Sequence, residues 1–379
     1  MTALLETLDP LMTALRAEGY TVIGPTVRDG AIVLAELTSS AQLPVGVGVE
    51  TAPGRYRLRE RGDRLVFGHS AGPQSAKTFL HPARTLLFDA ARTTDGAEVA
   101  AGVAVTDADG TPPKYAFLGL RACDLRAVEV QQHVLGRTPE SSYARVRAAA
   151  FIVAVNCTEP SATCFCVSAG GGPRASAGYD LALTELDTDH GPRYVAEAGS
   201  PAGERILTAL AAPEAPRAVV ADADRAVDDA VTHMGRALPE VDLHAMLAAS
   251  REAERWTQVA QRCLTCGNCT MVCPTCFCTT VTDTTDLTGD HAQRWQLWDS
   301  CFDLDYSYIH GGAVRTSVAG RYRQWLTHKL GTWHDQFGES GCVGCGRCIA
   351  WCPVGIDITE EANALAAASV PAAPPPAPA

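Results

Sequence analysis

The chain has 379 residues, 46% of them hydrophobic, with a formal net charge of −12. That length exceeds one usual domain, and the acidic balance argues against a nucleic-acid binder, which neutralises phosphate with clustered Lys and Arg. Fifteen cysteines spread over so long a chain are not the framework of a short secreted disulfide protein.

MTALLETLDPLMTALRAEGY (1–20) reads as an amphipathic helix with Leu4, Leu5, Leu8, Leu11, Met12 and Leu15 on one side, interrupted near Pro10. Its acidic residues and broken apolar pattern are unlike a signal peptide. No apolar run approaches the roughly 18 residues that span a bilayer, so no membrane insertion is expected, and the expected setting is the cytoplasm. Strands are predicted at 20–24, 31–37, 64–68, 115–120 and 149–156, and helices at 83–92, 124–136, 203–212 and 223–238. The mixture predicts an α/β N-terminal domain with Cys-rich loops over 1–238. Residues 241–263 read as a long helical stretch leading into a C-terminal dicluster domain, 239–366. VPAAPPPAPA (370–379), within a Pro/Ala tail over 367–379, is low in complexity and expected to be disordered. The fold class is therefore α+β.

RCLTCGNCTMVCPTCFC (262–278) and GCVGCGRCIAWCPVGID (341–357) carry the chemistry. Each places three cysteines two residues apart, then a fourth after three residues, followed by Pro. Three thiolates on a tight, Gly-relieved loop hold three corners of an iron-sulfur cube, while the fourth has turned away and ligates the other run's cluster. Zinc knuckles use well-separated Cys-x2-Cys pairs instead. The expected sets are Cys263, Cys266, Cys269 and Cys352 for one [4Fe-4S] cluster, and Cys342, Cys345, Cys348 and Cys273 for the other. Between the runs lie 68 residues, 274–341. Read as helical, this insert resembles that of the α-helical ferredoxin domain of fumarate reductase type.

Seven cysteines remain. Cys123, Cys157, Cys164 and Cys166 lie in loops after predicted strands, so a third cluster is open to them if the loops meet at one sheet edge; buried packing is the alternative. Cys276, Cys278 and Cys301 are expected to pack around the cubes, with a redox pair or a supplementary cluster site as alternatives. Thr163–Cys166 and Thr275–Cys278 are the same tetrapeptide, TCFC. Trp295, Trp298, Phe302, Tyr306, Tyr308, Trp325 and Trp333 are expected to exclude water from the clusters. His291, His310, His328 and His334 lack ligand spacing. No G-x-G-x-x-G follows a strand: GGGP (170–173) supplies glycines alone.

In the order RACDLRAVE (121–129), NCTEPSATCFCVSAGGGP (156–173), YDLALTEL (179–186), the first cysteine run, WDSCFDLDYSYIHGG (298–312) and the second run, the chain resembles a known family. It is that of the iron-sulfur beta subunit of cytoplasmic NAD(P)-linked nickel-iron hydrogenases, or sulfhydrogenases, related to the electron-transfer subunit of anaerobic sulfite reductase. The resemblance implies a heteromeric complex. A flavin subunit exchanging hydride with NAD(P)H would be wired through clusters to the nickel-iron small and large subunits, or in the alternative to a sirohaem subunit. The chain then needs no catalytic acid, base or nucleophile of its own. A different class stays open, in which the N-terminal domain itself reduces a sulfur species, and a third makes the chain an assembly scaffold. Arg347, beside the second run, is expected to raise the potential of its cluster by favouring the more negative reduced state.

Overall fold

A computed structural model describes residues 1–93, 102–107 and 110–369; the Pro/Ala stretch 370–379 lies outside the described residues. The chain is mixed α/β. Its main sheet has seven strands, in spatial order Thr2–Leu5, Arg193–Ala198, Leu181–Leu186, Phe151–Val155, Tyr115–Leu120, Thr21–Arg28 and Ala31–Glu36. The middle four strands are parallel and the outer pairings antiparallel.

A parallel sheet is covered on both faces, so its strands read as continuous apolar runs. FIVAV (151–155) is buried throughout. Phe151, Val153 and Val155 pack on one side with Leu11, Met12 and Leu15 of the helix Asp9–Ala17. Ile152 and Ala154 pack on the other side, with Leu125 and Val128 of the helix Ala122–Leu135.

Six expectations need correction. Residues 2–5 form an edge strand, and Pro10 starts the following helix rather than interrupting it, because a first-turn proline sacrifices no helical hydrogen bond. ARTLLFDAAR is a strand, Arg84–Thr93, despite its helix-forming Leu and Ala. It lies between His291–Trp298 and Gly102–Asp107, whose ladders satisfy its backbone. Residues 64–68 form no strand. The amides of Val66 and Phe67 donate to the Glu185 carboxylate, both at 2.7 Å, instead of to a neighbouring strand. The insert is not wholly helical, since Thr279–Thr285 and His291–Trp298 make an antiparallel hairpin. The stretch 241–263 holds two short helices, Leu243–Ala249 and Arg255–Ala260, and the last helix, Ile358–Ser369, takes in residues 367–369.

The second cysteine run is set against the N-terminal half. Phe165 donates its amide to the carbonyl of Gly344 (2.8 Å), and Gly54, in the turn between Val47–Ala52 and Arg55–Glu60, donates to Ile349 (3.0 Å). A separate core packs Trp256, Tyr322, Trp325 and Leu330 against Ile349, Ile358 and Leu365.

Candidate iron-sulfur site

The two cysteine loops share one backbone plan. Thr265 and Gly344 take positive φ (51° and 66°), as do Gly267 and Gly346 (73° and 74°). Each of the latter two caps a four-residue helix, Asn268–Met271 or Arg347–Ala350. A left-handed residue suits glycine, which has no Cβ to strain.

Cys263, Cys266, Cys269 and Cys352 line one space, joined by Cys348, Phe302, Tyr322 and Trp325. The fourth cysteine of the second run thus stands with the three leading cysteines of the first. Tyr322 Oη and Trp325 Nε1 in this wall are buried and have no protein partner. A buried donor of this kind calls for an acceptor, and cluster sulfur is one. The second set is close-knit as well. Cys348 interacts electrostatically with Cys342, Cys345 and Cys273, and also with Cys269 of the first set.

Cys123, Cys157, Cys164 and Cys166 line a further space together with Cys345. Adjacent parallel strands bring them there. Leu120 and Ala154 are neighbours across the ladder, so the loops that follow, carrying Cys123 and Cys157, leave the sheet at the same carboxyl edge. Such edges are where α/β sheets place their ligands. Cys164 and Cys166 come in on the loop held by Gly344. Among the described residues, no three His, Cys, Asp or Glu side chains converge on a single ion; the thiols ring spaces instead.

The electrostatics suit metal-bound thiolates. Burial pushes the Cys342 thiol up to about 12 and those of Cys123, Cys269 and Cys348 well above the ordinary thiol value. Such thiols do not ionise on their own in apolar surroundings, whereas a coordinating metal deprotonates them outright.

Two buried cations stand among them. Arg347 donates to Asp124 (2.8 Å) and to the carbonyls of Gly72 (2.8 Å) and Gln74 (3.1 Å), and it interacts with both Cys345 and Cys123. Lys329 donates to Cys273 Sγ (3.0 Å) and Thr275 Oγ1 (3.1 Å). Burial disfavours its charge, but Cys273, Cys276 and Cys342 outweigh that and hold the ammonium well above its usual value. Sequence reasoning missed Lys329. Its signal is positional, because it occupies an apolar stripe with Tyr322, Trp325, Leu326, Leu330 and Trp333, where a lysine stays only if paired. It sits in a π-helical turn, His328–Thr332, a local widening common at functional sites.

The expected aromatic shield divides. Phe302, Trp325 and the unpredicted Tyr322 line the first space. Trp295 and Trp298 instead lie under Arg84 and Lys77 in the hairpin sheet, and Tyr308 is 63% exposed. His291 bonds Asp89 (2.8 Å).

A family described as 4Fe-4S dicluster domain matches residues 262–356. Sulfhydrogenase 2 subunit beta of Pyrococcus furiosus is 30% identical over 257 residues, 67% of this chain and 74% of the relative. The chain belongs to the sulfhydrogenase beta-subunit family. It is an iron-sulfur electron-transfer subunit with [4Fe-4S] clusters as cofactors. No solved structure matches it. Among the described residues, no helix is long and apolar enough to cross a membrane.

Proposed function

We propose that this sulfhydrogenase beta subunit passes electrons through three [4Fe-4S] clusters in a row, between a flavin subunit that handles NAD(P)H and the nickel-iron small and large subunits. The first cluster is held by Cys263, Cys266, Cys269 and Cys352, the second by Cys342, Cys345, Cys348 and Cys273, the third by Cys123, Cys157, Cys164 and Cys166. The dicluster domain, 239–366, holds the first two and the α/β domain, 1–238, the third.

The observation that carries this reading is the position of Cys345, a second-run cysteine that lines the space of the four N-terminal thiols. Cys348 likewise adjoins the first space, so successive sites share walls. Each cluster accepts and returns one electron. The chain's own residues set the potentials through burial, hydrogen bonds to sulfur and local charge, within a span of about −700 to +450 mV. Lys329 and Arg347 supply positive charge at the second and third sites. Phe302, Tyr322 and Trp325 keep water from the first.

Iron and acid-labile sulfide in the anaerobically purified chain test the third cluster. The Cys123→Ser, Cys157→Ser double variant is expected to lose about four irons per chain and to keep the coupled EPR signals of the dicluster pair. Unchanged iron would remove the third cluster. For the partners, NAD(P)H added to the purified complex should reduce the beta-subunit clusters only while the flavin subunit is present.

A further inference from the structure

Cys301 joins the core that holds Cys342 and packs against Cys263, Cys269, Cys348 and Cys352, as expected, and with Cys276 and Cys278 it also lines a cleft with Asp299, Lys329 and Trp333. The hairpin explains how they meet. Thr279 pairs with Trp298 at its open end, and Asp299 donates its amide to the Cys278 carbonyl (2.8 Å), carrying the ladder one step on. Continuing that register two residues further sets Cys276 opposite Cys301. Alternate residues of a strand share a face, as do cross-strand partners. Cys276, Cys278, Asp299 and Cys301 therefore form a four-donor patch on one side. Ser300, between two of them, turns the other way and bonds Thr270 (2.8 Å).

Three further observations point to an anionic metal cluster there. Lys77, only 4% exposed, stands over the Trp298 ring and donates to the Cys276 carbonyl (3.2 Å), and Lys329, bonded to Cys273 of the second site, lines the cleft as well. Buried cations need anions, and neutral thiols are none. Trp333 Nε1, in the lining, is buried without a protein partner. The tetrapeptide at 275–278 also repeats the one at 163–166, whose two cysteines stand among the N-terminal thiols.

We propose a fourth [4Fe-4S] cluster, held by Cys276, Cys278 and Cys301 through three irons and by the Asp299 carboxylate through the fourth. It adjoins the second site through Lys329, which bonds Cys273 and lines the cleft, and makes the second cluster a branch point rather than a link in a single file. The cluster needs no co-reactant beyond the electron it exchanges with its neighbour.

The test uses the full chain in its complex, purified anaerobically. The Cys278→Ser, Cys301→Ser double variant is expected to lose about four irons and the matching sulfide per chain, a different four from those lost by Cys123→Ser, Cys157→Ser. Unchanged iron would overturn the proposal and leave the three-cluster relay standing. Zinc bound in the wild type and lost in the variant would overturn it too. Loss of iron here, with none lost from the N-terminal double variant, would uphold this site and sink the third cluster of the relay. Should the double variant fail to fold, Asp299→Cys decides, because it completes a four-thiolate set. Full iron with an altered EPR signal and midpoint potential for one cluster is expected, and a spectrum identical to the wild type would sink the proposal.

Discussion

Residues 263–273 and 342–352 follow the same turns but meet different surroundings. In the first loop Leu264 is 60% exposed and Cys266 is exposed. In the second, Val343 is 2% exposed and Cys342 is buried. The first loop tolerates Thr265 at a left-handed φ because its side chain reaches solvent. The second requires Gly344, since a Cβ there would stand 2.5 Å from Cys166 Cα. One motif thus stands at the surface in one copy and in the interior in the other. The interior copy is the one that carries the buried cations.

The contrast yields graded expectations. Arg347→Met should be the most damaging, because it strands buried Asp124 without its partner; breaking such a pair costs about 3–5 kcal/mol. A guanidinium unfolding midpoint compared at matched cluster loading would show it, and an unchanged midpoint would mean the clamp between the two halves is ornamental. Gly344→Ala follows, costing about 1–2 kcal/mol for the left-handed backbone and about 1–3 kcal/mol for overpacking against Cys166. Lys329→Met should leave the first cluster's midpoint in place and lower the second's by something on the order of 60 mV, one factor of ten in its reduction equilibrium. Equal shifts in both, read by redox titration, would erase the distinction between the loops. The smallest effect belongs to Thr265→Gly, which relieves the left-handed strain but adds unfolded-chain entropy, for a net change below about 1 kcal/mol. A loss as large as that of Gly344→Ala would mean that the first loop is as confined as the second.

The thiol spacing was legible because ligand geometry is local: eleven residues state a whole loop. Four sheet strands were legible for a similar reason, since YAFLGL and FIVAV carry continuous apolar runs. What sequence could not state was long-range satisfaction of backbone groups. RLVFG has strand composition, yet a carboxylate 119 residues away from Val66 takes its amides. ARTLLFDAAR has helix composition, yet the partner that makes it a strand lies at 291–297. TTVTDTT did carry a signal, its β-branched threonines, but its exposed face lacks the apolar alternation that reads as a strand. Cys276, Cys278 and Cys301 could be grouped from the sequence, but the cleft they share with Asp299 appears only once the hairpin is formed.

That hairpin also bears on how the protein is made. Its strand His291–Trp298 pairs with Arg84–Thr93 across some 200 residues of chain, and the space around Cys263 closes only with Cys352. On a ribosome releasing the chain from its N-terminus, every thiol-lined space is incomplete until its later residues emerge. Iron delivered during synthesis would meet partial thiol sets. The ten cysteines that precede the final hundred residues must therefore stay reduced until those residues are available to fold.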